Sequence, residues 1–116
     1  MKKRKIETQF VVSEQQLDEK AVLDIAILNA AVTATSEAIL ETMEGTYQFE
    51  CNAYELKLLA DAKLNDRLIV RGKVMRFNTK SLVLKVSVFK VAETTELCLA
   101  TGLFSYAVEE ALPMAS

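Results

Sequence analysis

AVLDIAILNAAVTATS, residues Ala21 to Ser36, is apolar on nearly every side and is followed by strand patterns alone. Val22, Ile25, Leu28, Asn29, Val32, Ser36, Ile39, Leu40 and Met43 recur by threes and fours, which predicts a helix. Ser13 with Gln16 fits a capping box, Asp18 is a second candidate N-cap, and Gly45 is a natural stop. A helix over 18–44 would be roughly 40 Å long at about 1.5 Å per residue. Its apolar girth requires cover on most sides, and only long strands could supply it. Asp24 and Asn29 stand where the pattern asks for hydrocarbon, so function is sought there first.

Long strands flank the helix. Ile6, Thr8, Phe10 and Val12 alternate with Glu7 and Gln9 before it. After it come Tyr47, Phe49, Cys51 and Ala53, and then the apolar parity shifts to Tyr54, Leu56 and Leu58. That shift predicts a bulge or bend near Asn52 to Tyr54. Ala60 to Asp66 reads as a turn. Leu68, Val70, Gly72 and Val74 define a further strand, as do Leu82, Leu84, Val86 and Val88, and then Cys98, Ala100, Gly102, Phe104, Tyr106 and Val108. RFNTKS (Arg76 to Ser81) and AETTE (Ala92 to Glu96) are the turns, giving three consecutive antiparallel hairpin strands. The end of the tail Glu109 to Ser116 is expected to be loose.

The order is strand, long helix, then four strands read as a meander. It predicts an α+β domain occupying all of 1–116, with an antiparallel sheet of about five strands against one helix. A hydrophobic fraction of 51% and a single proline argue against disorder. A net charge of −2 gives no reason to expect a nucleic acid, and the basic start Met1 to Lys5 has no interleaved aromatic. The uncharged part of the helix is too short for the roughly 20 residues of a membrane span, so no membrane partner is expected.

Cys51 and Cys98 are the only cysteines, and both sit on apolar faces. They read as reduced core thiols in a cytoplasmic protein. The chain contains no histidine. Nucleophile systems built on histidine and the common zinc and non-haem iron sites are thereby excluded, and no metal or cofactor is expected.

Three segments carry a resemblance: LNDRLIVRGKV (64–74), the strand Ser81 to Val88, and LATGLFSYAVEEALP (99–113). Together they resemble the acyl-CoA thioesterase branch of the hot-dog superfamily, over about residues 5 to 113. The resemblance implies a curved antiparallel sheet wrapped around one long helix. It also implies hydrolysis of an acyl-CoA or acyl-carrier thioester in a pocket between the subunits of a homodimer or dimer of dimers. In that family a His-Gly-Gly or Phe-Gly-Gly turn at the front of the helix offers a backbone N–H to the thioester oxygen, and an acidic residue follows. Aligned without gaps, those glycines fall near Ala21 and Val22 and the acid falls on Asn29, so the active-site turn is divergent. Asn78 stands where the family usually has glycine; asparagine tolerates the left-handed conformation.

The resemblance therefore makes Asn29 and Asp24 the candidate catalytic residues, with N–H groups of Ala21, Val22 and Leu23 holding the carbonyl. An amide at 29 can orient water or donate to an oxyanion but cannot deprotonate water, while Asp24 could act as base. The plain alternatives are a hydrogen-bonded structural amide at 29 and a carboxylate favoured by the helix dipole at 24. Ser36 is a candidate for the end of an acyl channel, or one of a polar patch with Thr33 and Thr35. Asn52 at the expected bend is a candidate for pocket and interface. Arg71, Arg76 and Lys80 are candidates for coenzyme A phosphates, with a solvated strand face as the alternative. A hot-dog module without catalysis, serving as ligand sensor, scaffold or accessory subunit, is the second functional reading.

Overall fold

A computed structural model describes residues 5–43, 45 and 47–110. Its elements are β1 (Lys5–Val11), a 3₁₀ turn (Glu14–Gln16), α1 (Ile25–Glu41), β2 (Tyr47–Leu58), β3 (Arg67–Phe77), β4 (Ser81–Ala92) and β5 (Thr95–Glu110). The five strands form one antiparallel sheet in the order β1-β3-β4-β5-β2. The hairpins β3-β4 and β4-β5 are those that the turn signals predict. The second strand departs from the expected meander: it crosses the sheet to pair with β5 instead of β3. Pairing between distant strands leaves no local mark in a sequence, because the same alternation suits either neighbour.

The parity shift in β2 is a true bulge, with register changing between Cys51 and Ala53. Further irregularities fall between Val74 and Arg76 and between Val88 and Phe89. Each strengthens local twist and bends its strand. Glu109 and Glu110 belong to β5, while the end of the expected loose tail, 111–116, lies outside the described residues. Of the basic start, only Lys5 is described, as the first residue of β1.

The helix differs most from expectation. It begins at Ile25 and not at 18, and it is capped by Asp24, whose side chain accepts from the Ala26 N–H at 2.9 Å. The capping box is present, with Gln16 Oε1 accepting from the Ser13 N–H, but it serves the separate 3₁₀ turn. Residues 17–24 form a knot of turns held by bridges Leu17 to Leu23 and Val22 to Lys63. The helix ends at Glu41 with Thr42 as C-cap, and Gly45 follows at φ +96°.

α1 packs mainly on β1, β3 and β4 and meets β5 at Gly102. Leu28, Val32 and Ile39 meet a core that includes Leu68, Val70, Leu82, Leu84, Val86, Val88, Leu99 and Phe104. Each such burial contributes about 1.5–3 kcal/mol. Close approach of helix to sheet depends on two glycines. A methyl at Gly72 would lie 2.7 Å from Thr35 Cγ2, and one at Gly102 2.8 Å from Val32 Cγ1.

The expected cover on most sides is absent within one chain. Leu28, Val32, Thr35, Ser36 and Ile39 are buried, whereas Ile25, Ala26, Asn29, Ala30, Ala34 and Glu37 are exposed. The helix lies over one half of the sheet, and much of edge strand β2 stays open beside it. For the same reason Cys51, expected in the core, is exposed; Cys98 is half-buried, and both thiols are free.

Candidate functional site

The chain arriving at α1 shapes a small cleft of about 90 Å³ lined in part by Asp18, Val22, Ile25, Leu28, Leu58 and Asp61. Apolar walls come from the helix and from β2, and the two carboxylates come from the loops on either side. Asp18 is already engaged as a turn former, its Oδ1 accepting from the N–H groups of Lys20 (2.8 Å) and Val22 (3.3 Å). Sequence reasoning placed Asp18 at a cap and passed over Asp61, because a loop carboxylate carries no periodic signal.

Ala21 adopts φ +61°, a left-handed conformation that costs a residue with a Cβ about 1–2 kcal/mol. The N–H groups expected to receive a carbonyl are occupied here. Ala21 donates to Asp18 O (3.0 Å), Val22 to the Asp18 carboxylate, and Leu23 to Ala62 O (2.8 Å). Asp24 N–H donates to Gln16 O at 2.8 Å. Because the helix starts later than expected, its open donor moves as well. Ile25 N–H is the first helical donor and has no acceptor among the described residues, and Ile25 itself lines the cleft. The positive end of the helix dipole lies at the same point.

One helical turn on, Asn29 is exposed on the same side as Ile25. Its Oδ1 accepts from the Tyr54 hydroxyl at 2.6 Å. Tyr54, on β2, stacks on Phe104 with ring centroids 4.4 Å apart at 15°. Burial pushes the Tyr54 phenol above its usual pKa, with the nearby Thr33 side chain partly opposing the shift. This pairing uses the amide oxygen of Asn29, and its NH₂ group has no hydrogen-bond acceptor among the described residues. The sequence marks Tyr54 only as a strand residue, since a contact across 25 positions has no local signature.

Asp24 and Asn29 flank Ile25 in sequence but are not among the residues that line the cleft, and the remaining candidates lie farther off. Ser36 is 1% exposed and donates to Thr33 O at 2.7 Å, so the expected channel lining is sealed against the sheet beside Tyr106. Burial raises the Tyr106 phenol pKa, and the Ser36 side chain partly opposes this. Asn52 is exposed at the β2 bulge. Arg71 lies on the opposite face of the sheet, held by Glu7 (2.7 Å) and Glu96 (3.3 Å) and laid over the Phe89 ring at 5.0 Å. Those two carboxylates raise its pKa, hydrogen bonding to Glu96 most. Arg76 and Lys80 are exposed at the β3-β4 end. There Asn78 is not left-handed. Its side-chain oxygen accepts from the N–H groups of Lys80 and Ser81, at 2.8 and 2.9 Å, which closes the turn.

No protein-family model and no curated protein sequence matches the chain. Solved structures do. A hypothetical thioesterase from Streptococcus pneumoniae is 14% identical over 92% of this chain and 84% of its own, with a TM-score of 0.78. An acyl-CoA hydrolase from Staphylococcus aureus is 14% identical over 97% of this chain and 76% of its own, with a TM-score of 0.79. A protein from Streptococcus mutans, solved with acetyl CoA bound, is 14% identical over 94% and 84%, with a TM-score of 0.76.

The fold is the hot-dog fold. In hot-dog terms α1 is the sausage, and the cleft described above lies at its N-terminal end against the second strand. At identities this low the likeness carries architecture, so the chemistry of this hot-dog domain must come from its own residues. Those residues offer a free helical N–H, a capping carboxylate, a fixed amide and apolar walls. Among the described residues no cluster of carboxylates and thiols could hold a metal, and no helix is long and apolar enough to cross a membrane.

Proposed function

We propose that this hot-dog domain binds an acyl thioester, as acyl-CoA or on a carrier, at the N-terminal cleft of α1 and hydrolyses it. The observation that carries the reading is the unbonded Ile25 N–H at the positive end of the helix, on a residue that itself lines the cleft. In this mechanism the thioester oxygen accepts from Ile25 N–H, where negative charge develops as water adds to the carbonyl carbon. The free carboxylate oxygen of Asp24 takes the water proton and returns it to the sulfur as the C–S bond breaks, so that a carboxylic acid and a thiol leave. Asn29, its oxygen held by Tyr54, orients water or donates its NH₂ to the oxyanion. Val22 and Leu23 line the acyl cleft and Ala21 sets its turn.

The active unit in this reading is a homodimer, alone or paired again. Its support is the exposed apolar surface along α1 and β2: Ile25 is 51% exposed, Leu58 49% and Leu59 53%. β2 is also an edge strand whose outer N–H and C=O groups invite a partner. Asn52 then lies at the interface, and Arg76 and Lys80 are available to coenzyme A phosphates. The proposal takes 1–116 as one domain acting in the cytoplasm.

A panel of acyl-CoA esters tests the enzyme. Turnover is expected, falling at least tenfold in Asp24→Ala and in Asn29→Ala. No turnover by the pure protein, with both variants equal to background, contradicts it. The second reading, a hot-dog module that binds without hydrolysis, is favoured by one observation: both candidate groups already serve structural bonds, Asp24 to Ala26 and Asn29 to Tyr54. Calorimetry with acyl-CoA separates the two, since binding without turnover selects the module.

A further inference from the structure

The face of the sheet turned away from α1 carries a row of lysines that the proposed hydrolysis does not use. Lys5 of β1 stands directly across from Lys73 of β3, and Lys73 directly across from Lys85 of β4. Strands lie about 4.8 Å apart, so three ammonium groups are carried on adjoining strands within roughly 10 Å. Like charges placed directly opposite one another repel, and proteins ordinarily interleave them with acids. Here the acids are engaged elsewhere. In the neighbouring row Arg71 is bound by Glu7 across the strand pair and by Glu96 of β5, and farther along Asp66 binds Lys90. The lysine row continues through Leu103 to Glu55 on β2, so the first carboxylate along it lies two strands beyond Lys85. Among the described residues none of the three lysines has an ion-pair partner.

The row is also concave. Lys5, Arg71, Lys73, Lys85, Ser87 and Phe89 surround a groove of about 300 Å³. Ser87 adds a hydroxyl, and the Phe89 ring, roofed by the Arg71 guanidinium, forms an apolar wall. In a chain of net charge −2, three adjacent cations without ion-pair partners, the nearby Glu7 being held by Arg71, form a local reversal of sign.

We propose that Lys5, Lys73 and Lys85 form a binding site for a small soluble anion bearing two linked phosphoryl groups. Two phosphoryl groups present enough oxygens to meet ammonium groups from three strands at once, and lysine engages phosphate as a point charge without demanding fixed geometry. The site lies across the sheet from the α1 cleft, and it stands or falls independently of thioester hydrolysis.

Inorganic pyrophosphate at low ionic strength is the probe, read by isothermal titration calorimetry on the full chain. One pyrophosphate per chain is expected to bind, more tightly than inorganic phosphate and more weakly as salt rises. Lys73→Gln and Lys85→Gln are each expected to weaken it at least tenfold, and Lys57→Gln, which removes the same charge from β2, to leave it within twofold. Circular dichroism establishes that the variants are folded. Absence of binding, equal affinity in all three variants, or association only with vesicles containing anionic phospholipid would overturn the proposal.

Discussion

On α1 two sets of residues are interleaved along the same seventeen positions. Leu28, Val32, Thr35, Ser36 and Ile39 are buried against the sheet, while Ile25, Ala26, Asn29, Ala30 and Ala34 are exposed although nearly as apolar. Hydrophobicity alone does not distinguish the two faces. What distinguishes them is what the sheet can reach: the helix packs mainly on β1, β3 and β4, meets β5 at Gly102, and leaves most of β2 open. The buried face explains how the domain holds together. The open face, which carries Asn29 and its partner Tyr54, is where the proposed function puts a ligand and a second copy.

The largest test of this contrast is stability. Ile39→Ala removes a side chain with no exposure and should cost about 2–5 kcal/mol in denaturant unfolding. Ile25→Ala, half exposed, should stay within about 0.5 kcal/mol for the isolated chain. Equal costs would mean that the open face is covered in the folded unit.

Next in size is Asp24→Ala, expected to lose about 0.5–2 kcal/mol with its cap on Ala26. A smaller effect, of opposite sign, is expected at Ala21. Ala21→Gly relieves about 1–2 kcal/mol of left-handed strain but adds about 0.4–1 kcal/mol of unfolded-chain entropy. A net gain of roughly 0.5 kcal/mol should appear as a raised denaturation midpoint.

The subtlest effect is alkaline. Burial raises the phenol pKa of Tyr54 and of Tyr106 in the folded chain. The unfolded chain therefore releases these protons first as pH climbs. The stabilisation tied to the protonated phenols is fully present below the ordinary tyrosine pKa and is lost as pH rises through the higher folded values. Tyr54→Phe should flatten that decline, which is checked by urea unfolding at stepped alkaline pH.

How far the sequence could be read follows from which interactions are local. Alternation placed β3, β4 and β5, and the parity change at Cys51 to Tyr54 located the β2 bulge, because each side chain reports its own face. The partner of β2 was not legible, since pairing with β5 is set by geometry across the whole sheet. The start of α1 was misplaced for a physical reason: residues 18–24 have helical spacing, but their backbone is engaged by Gln16 and Ala62 instead of continuing the helix. Asp24 looked like a polar intruder in an apolar helix and is in fact its cap. Asn29 was legible as unusual, but its partner Tyr54 was not. Ser36 looked polar enough to line a channel, yet a helical hydroxyl can satisfy itself on the carbonyl of Thr33 and be buried.

The most direct test of the open face is an ¹⁵N amide titration of the full chain with a non-hydrolysable thioether analogue of an acyl-CoA, which reports binding whether or not hydrolysis occurs. Shifts concentrated at Ile25, Asn29, Tyr54, Leu58 and Asp61 are the predicted result. Shifts confined to the opposite face of the sheet, or none at saturating ligand, would contradict the placement of the site at the N-terminus of α1.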